Sequence, residues 1–397
     1  MDHVSGAVGE GLLYLERARA LGPRIAAAAD EIEARRELPP ELVAALIEAG
    51  MFRLLLPKSL GGAELHPALY AETVEAIARH DASTAWCIGQ GCGCTVSAAY
   101  LDPAVAKEIF GPPDGIVAWG PPGPAKAVAV PGGFRLTGSW SFASGSHHAT
   151  WLGAHVSVFT ADGAPLMRAD GSAIMRTLLF PKSRARMTDI WHVIGLRGTG
   201  SDSYAVEDLF VPEDHTIDRD PANRPREPGP LYRFSSSNLY AAAFAGVALG
   251  IARSVLDSFI ELARDKIPRG AKVTMRNNNV IQSQVAQCEA RLAAARHYLL
   301  ATLSASYDKI VAAGRLSIED NATLRLATTW AIHQAKDAVD VLYQAAGATA
   351  IFNENPFERR FRDIHTVAQQ MQGRQTHFET VGRIMMGLPP DATMFTF

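Results

Sequence analysis

Apolar positions recur every three to four residues through the first quarter of the chain, and that spacing predicts helices. Leu12, Leu13, Leu15, Ala18, Ile25, Ala29 and Ile32 fall on one side of a helix over residues 12–37, with charges opposite. Pro39 and Pro40 end it. Pro40 can open the next helix, which runs apolar to Ala49 and stops at Gly50. Residues 51–62 hold Pro57, Gly61 and Gly62 and read as a loop. Residues 66–80 and 82–100 read as helical again. The second of these is so apolar and rich in small residues that burial on all sides is expected. From Gly111 to about Arg226 the pattern changes to short β-type runs at 116–118, 126–130, 134–139, 155–160, 176–180 and 204–211. Glycine- and proline-rich turns separate them, which predicts a small antiparallel barrel or sandwich. The four prolines between Pro221 and Pro230 read as a linker. Segments 238–265, 280–313, 317–346 and 361–386 return to the helical period and predict a bundle of long antiparallel helices. The chain is therefore expected to be mainly α with a central β domain. The expected divisions are a helical domain over 1–112, the β domain over 113–226 and the helical bundle over 227–397. The bundle helices carry more apolar surface than one bundle would hide, so self-association is expected.

Composition narrows the function. Of 397 residues, 48% are apolar and 20% charged, which suits a globular chain with a sizeable core. The net charge of −3 offers no basic surplus, so general nucleic-acid binding is set aside. Cys87, Cys92 and Cys94 crowd into one apolar run and Cys288 lies far away. That is no disulfide framework, and buried thiols in a reducing compartment are expected. Residues 1–11 show no charged start followed by an apolar core, and no window of ~20 residues is free of polar groups. A soluble, cytoplasmic protein without a membrane partner is expected.

Several standard signatures are missing. There is no G-x-G-x-x-G opening a helix after a strand, no P-loop, no H-E-x-x-H and no G-x-S-x-G. Gly89, Gly91 and Gly93 alternate in a helical run and read as close helix packing. His147, His148 and His155 have no Cys, Asp or Glu at ligand spacing, so no metal site is expected.

Five runs in order carry a resemblance: ARHDASTAW ending at Trp86, GSWSFASG over 138–145, GLRGTGS over 195–201 followed by VPE over 211–213, QAAG over 344–347, and RRFRD over 359–363. Together they resemble the acyl-CoA dehydrogenase superfamily over nearly the whole chain. The resemblance implies an N-terminal helical domain, a small β barrel and a C-terminal long-helix bundle. It also implies a tetramer with flavin held between barrel and bundle. Two chemistries occur in that superfamily. Dehydrogenases remove an α-proton from a thioester with a glutamate while hydride moves to flavin. The related two-component monooxygenases take reduced flavin, FADH2 or FMNH2, from a separate reductase. They add O2 at flavin C4a and transfer one oxygen to an aromatic or heteroatom-bearing small molecule. The run from Trp140 to Gly145, followed by His148 and Trp151, is similar to the monooxygenase version. The usual dehydrogenase glutamate position falls on Met371, flanked by Gln369, Gln370 and Gln372, none of which can act as a base. Glu261 and Glu289 on earlier helices stay open as alternatives, and with them the dehydrogenase reading.

The resemblance implies particular residues. Ser144 is expected to donate a hydrogen bond beside flavin N5, with Ser141 as its rival, because strand alternation sends Phe142 and Ser144 to one face. Gln370 occupies the slot that related aromatic hydroxylases fill with a histidine. It is expected to orient substrate without accepting a proton. His377, two helical turns on, and His365 are the nearby histidines, and His377 is the expected catalytic partner. The implied flavin contacts are Trp86, Trp119, Trp140, Phe142, Ser144, Arg269, Gln282, Gln344 and Gly347. Ser83, His148 and Gln370 are the implied substrate contacts.

Overall fold

The computed structural model describes residues 2–220 and 223–391, with side chains described from residue 11 onward; Pro221 and Ala222, within the expected linker, lie outside the described residues. Five helices come first: α1 (Asp2–Arg35), α2 (Pro40–Glu48), α3 (Pro67–Ala78), α4 (Ala82–Thr95) and α5 (Pro103–Phe110). Local chemistry sets their starts. Asp81 caps α4 by accepting the Thr84 N–H, Asp102 caps α5 through the Ala104 N–H, and prolines occupy the first position of α2, α3 and α5. Residues 51–62 are not plain loop, since they contain 3-10 turns at Met51–Arg53 and Lys58–Leu60.

Eight strands follow: β1 (Val117–Ala118), β2 (Ala125–Val130), β3 (Gly133–Ala143), β4 (Trp151–Phe159), β5 (Met175–Pro181), β6 (Arg186–Thr188), β7 (Asp202–Pro212) and β8 (Thr216–Asp218). The short β6 and β8 escape a periodicity reading because three residues carry no alternation. The sheet runs β6-β7-β3-β2-β4-β5-β8, with β1 beside β4. It is mixed, where the sequence pattern suggests purely antiparallel pairing, because β4 runs parallel to both β1 and β2. The layer wraps round a core of its own: Trp140 of β3 donates its Nε1–H to the His155 carbonyl of β4, and Tyr204 of β7 lies 6.4 Å from Phe180 of β5.

The last segment holds α6 (Ser236–Asp265), α7 (Asn279–Ala313), α8 (Ile318–Ala346), α9 (Phe357–Gln369) and α10 (Thr376–Met385). The stretch expected as one helix over 361–386 is broken, because α9 ends at Gln369 and Met371–Gly373 forms a 3-10 turn before α10. By length and composition α6 could cross a membrane, but 89% of its most apolar window is buried inside the protein, as in a core helix. The small residues of α4 serve that packing. A Cβ on Gly89 would stand 2.9 Å from the Cβ of Ala243, and one on Gly93 would run into the Tyr240 ring. One apolar core joins all three parts, from Ile25 of α1 through Trp140 of β3 to Leu342 of α8.

Candidate active site

A cavity of about 1070 Å³ opens where the three parts meet. The end of α4 and the following turn supply Gly93, Ser97 and Tyr100. The strand layer supplies Trp119 and Arg219, and the start of α6 supplies Ser235 to Ser237. Such a concave junction between parts of a fold is a usual place for a small-molecule site, and this one mixes aromatic side chains with arginines, aspartates and serines. Its carboxylates are engaged: Asp218 and Asp220 hold Arg168 at 2.7 and 2.8 Å, and Asp320 pairs with Lys309. Glu261 and Glu289 do not line it; they are exposed and pair with Arg264 and Arg253.

The expected strand alternation fails at Phe142. Its backbone has φ +63, and the side chain is 59% exposed, edge-on to Trp191 with 6.1 Å between ring centres. Ser144 instead turns inward and is buried. Trp86 donates its Nε1–H to Ser144 Oγ at 3.0 Å. Ser144 lies 2.7 Å from Ser201 Oγ, Ser201 lies 2.7 Å from Thr199 Oγ1, and Thr199 donates to the Leu196 carbonyl. Because only a hydroxyl can donate to that carbonyl, the chain has one direction, and the Ser144 hydrogen goes to Ser201. The expected free donor at Ser144 is thus taken inside the protein. Ser141, the rival, donates to Ser203 at 3.4 Å.

Trp140 is likewise corrected. It is 1% exposed, stacked on Tyr204, and belongs to the core of the strand layer because β3 points it inward. Trp86 stacks on Phe244 of α6 with ring centres 3.8 Å apart. Ser83 is buried under the turn at Gly198, and His148 packs beside Phe52, held neutral near pKa 3 by burial; neither lines the cavity. Trp119 does line it.

The helix break separates Gln370 from His377. Gln370 follows α9 and its Oε1 accepts the Gln372 N–H at 2.7 Å, while its Nε2 is buried with no partner among the described residues. Buried amide donors are rarely left so, and an orphaned one marks a place for a ligand atom. His377 faces inward instead: its Nε2–H donates to the Met371 carbonyl at 2.8 Å, and burial, then Arg325, lowers its pKa to about 4. It fastens the 3-10 turn and does not line the cavity. His365 pairs with Asp340 at 2.8 Å.

Around this break the protein holds a group that sequence reasoning missed. Arg325 of α8 is 2% exposed, and burial lowers its pKa to about 10, so it stays charged. It donates to Gln372 Oε1 and, at 2.7 Å, to Ser237 Oγ. The signal was available: Ala322, Arg325, Thr329, Ile332, Ala335, Val339 and Leu342 share one stripe of α8, and only Arg325 is charged.

Asp363, from the RRFRD run, accepts the Leu196 N–H at 2.6 Å, and burial raises its pKa to about 7. Arg362 donates to the Ile194 carbonyl. These bonds hold the loop after Asp189 against α9, which ends just before Gln370, and Trp191 of that loop meets Phe142 edge-on. At the far end of the bundle Arg269, Gln282, Gln344 and Gly347 are exposed. Gln282 donates to the Arg276 carbonyl at 2.8 Å, and Lys266 ties the 265–270 segment to the end of α8 through the Ala346 carbonyl and Thr349. Gly347 has φ 61 and ψ −147, a backbone open to glycine alone. Arg296 of α7 binds Glu72 and Glu75 of α3.

Residues 15–108 match the family model for the acyl-CoA dehydrogenase N-terminal domain, and residues 242–374 the model for the acyl-CoA dehydrogenase C-terminal domain. The chain is 30% identical to indole-3-acetate monooxygenase of Pseudomonas putida, over 93% of this chain and 92% of the relative. It is 28% identical to the flavin-dependent monooxygenase oxygenase subunit HsaA of Mycobacterium tuberculosis, over 94% of this chain and 95% of the relative. The structure of XiaF from Streptomyces sp. in complex with FADH2 and glycerol superimposes with a TM-score of 0.91 at 26% identity, covering 99% of both chains.

Proposed function

Because the chain belongs to the flavin-dependent monooxygenases of the acyl-CoA dehydrogenase fold, we propose that it is the oxygenase component of a two-component system. It uses reduced flavin, FADH2 or FMNH2, and O2 to hydroxylate a small aromatic or heteroatom-bearing molecule in the junction cavity. The observation that carries this reading is the cavity itself: its carboxylates are held by cations, and the position expected for a dehydrogenase glutamate is Met371.

Reduced flavin, when bound, supplies the two electrons that divide O2 between product and water. The residues present fit a planar polar ring at the border of strand layer and bundle. Gln370 Nε2 is a buried donor awaiting an acceptor, and Phe142 and Trp191 offer an apolar edge. Gln370 orients without titrating. Trp119 and Tyr100 exclude water from the cavity side. The chain's partners in this reading are a separate flavin reductase and further copies of itself, as a tetramer in the cytoplasm. Exposed Ile267, Ile351 and Phe352 beside Gly347 support the self-association. In that tetramer the exposed Arg269, Gln344 and Gly347 would help to hold the flavin from a neighbouring copy.

The test supplies chemically reduced flavin and 18O2 to the purified protein with an aromatic panel, and follows label by mass spectrometry. Incorporation of one labelled atom per product supports the reading. Thioester-dependent bleaching of oxidised flavin without label in product overturns it and restores the dehydrogenase alternative.

A further inference from the structure

Among the described residues, two guanidinium groups sheltered from water have no acidic partner: Arg219 in the cavity wall and Arg325 behind it, apart from the exposed Arg233 and Arg315 that also line the cavity. Arg219 follows β8 in the chain and forms part of the cavity wall. Its Nε donates to Thr177 Oγ1 at 2.6 Å and its guanidinium lies 5.8 Å from the Trp119 ring centre. Among the described residues it meets no carboxylate, because its neighbours Asp218 and Asp220 both turn to Arg168. Arg325 stands one residue behind the wall. Its partners are neutral oxygens, Gln372 Oε1 and Ser237 Oγ. Taking a cation out of water is costly unless an anion answers it, and here two sheltered cations lie about one cavity.

Ser237 connects the second cation to the cavity. Its oxygen accepts from Arg325, so its own hydrogen is the one left to give, and a hydroxyl backed by a cation is a strengthened donor. Ser237 lies in the first turn of the 30-residue α6, whose N-terminus opens on the same space. Ser235 caps that turn by accepting the Asn238 N–H, and the positive end of the helix dipole adds to the potential there. The rest of the wall is mixed: Arg224, Arg233 and Arg315 and the cation-held Asp218, Asp220 and Asp320 line it. Its aromatic part includes Tyr100, whose hydroxyl donates to the Tyr232 carbonyl at 2.8 Å, and Trp119.

We infer that the cavity selects an aromatic acid, with the substrate carboxylate held by Arg219 and by the Ser237 hydroxyl that Arg325 backs. This rests on the junction cavity being the substrate site of the proposed oxygenase. Arg219 is the direct ligand. Arg325 is a positioning residue that acts through Ser237.

The experiment measures binding without turnover. Calorimetry on the flavin-free protein compares phenylacetate, 1-naphthylacetate and indole-3-acetate, each against its uncharged amide. At least one acid should bind 10-fold or more tightly than its amide. Arg219→Gln should reduce that ratio to near one, and Arg219→Lys should restore part of it. Ser237→Ala should lower the ratio with the melting temperature unchanged, a split that a merely structural serine would not give. Equal binding of acid and amide, or a ratio unaffected by Arg219→Gln, overturns the inference. A second arm compares reduced FMN with reduced riboflavin. If Arg219→Gln erases a preference for FMN and leaves acid binding intact, the anion held here is flavin phosphate, and the substrate assignment fails. Acid binding that survives without any 18O transfer would fault the proposed oxygenase and leave this anion site standing.

Discussion

Trp86 donates its indole N–H to Ser144 Oγ at 3.0 Å, which makes Ser144 the joint between α4 and the turn at Thr199. Ser144→Ala strands the indole donor and breaks the hydroxyl chain. A lost buried hydrogen bond of this kind costs about 1–3 kcal/mol. Ser144→Ala and Ser201→Ala should both lower the denaturation midpoint and shift Trp86 fluorescence. If Ser144→Ala leaves the midpoint untouched and alters only oxygen use, the serine is a flavin donor after all.

Gln370 should be a ligand contact that stability does not need. Gln370→Glu keeps the oxygen that accepts the Gln372 N–H and replaces the orphaned donor with a second oxygen. The affinity for reduced flavin or for substrate should fall about 10-fold, an effect of ~1.4 kcal/mol, with little change in melting temperature. Unchanged affinity for both ligands would put the amide outside the site.

Asp363 should make stability fall as pH rises. Its pKa is about 7 in the folded protein against an ordinary 3.8. A raised pKa means that the folded state holds the proton more tightly, so this contribution is complete below pH 3.8 and is lost up to about pH 7. The three-unit difference corresponds to at most about 4 kcal/mol. Asp363→Asn keeps an oxygen for the Leu196 N–H and cannot ionise. Denaturant titrations from pH 5 to 8 should show a falling limb for the parent that the asparagine variant lacks. Parallel curves would rule out Asp363 as its source.

Gly347→Ala isolates backbone strain. Nothing lies within 4 Å of where its Cβ would stand, so the cost is conformational and not steric crowding by neighbours. With φ 61 and ψ −147 the alanine should lose about 1–3 kcal/mol. Calorimetric unfolding checks this, and sedimentation of the same variant shows whether the turn also serves assembly. A melting temperature equal to the parent's would mean that the turn relaxes to another backbone.

Much of the fold was legible because its helices are long. The apolar stripe from Leu15 to Ile32 and the small-residue run of α4 have one reading each. The two-residue β1 and three-residue β6 and β8 have no period to read, and the parallel pairing of β4 comes from chain reversal that no local pattern records. The site was less legible for a similar reason. Phe142 and Ser144 look like strand neighbours on one face until a left-handed residue redirects them. Gln370 and His377 look seven residues apart on one helix until a 3-10 turn intervenes. Arg325 was the missed opportunity, since a lone charge in the apolar stripe of α8 is visible in the letters alone.

The apolar core that runs unbroken from α1 through the strand layer to α8 also restricts how a ligand can come and go. Parts that share one interior have no seam about which to swing as jaws. Exchange at the junction cavity is left to its rim, where Gly314 takes φ 73 with no atom within 4 Å of an added Cβ and Arg315 follows it. Breathing of that short connection between α7 and α8 would then set the pace of product escape. Stiffening it should slow turnover without touching any group that meets the substrate's ring.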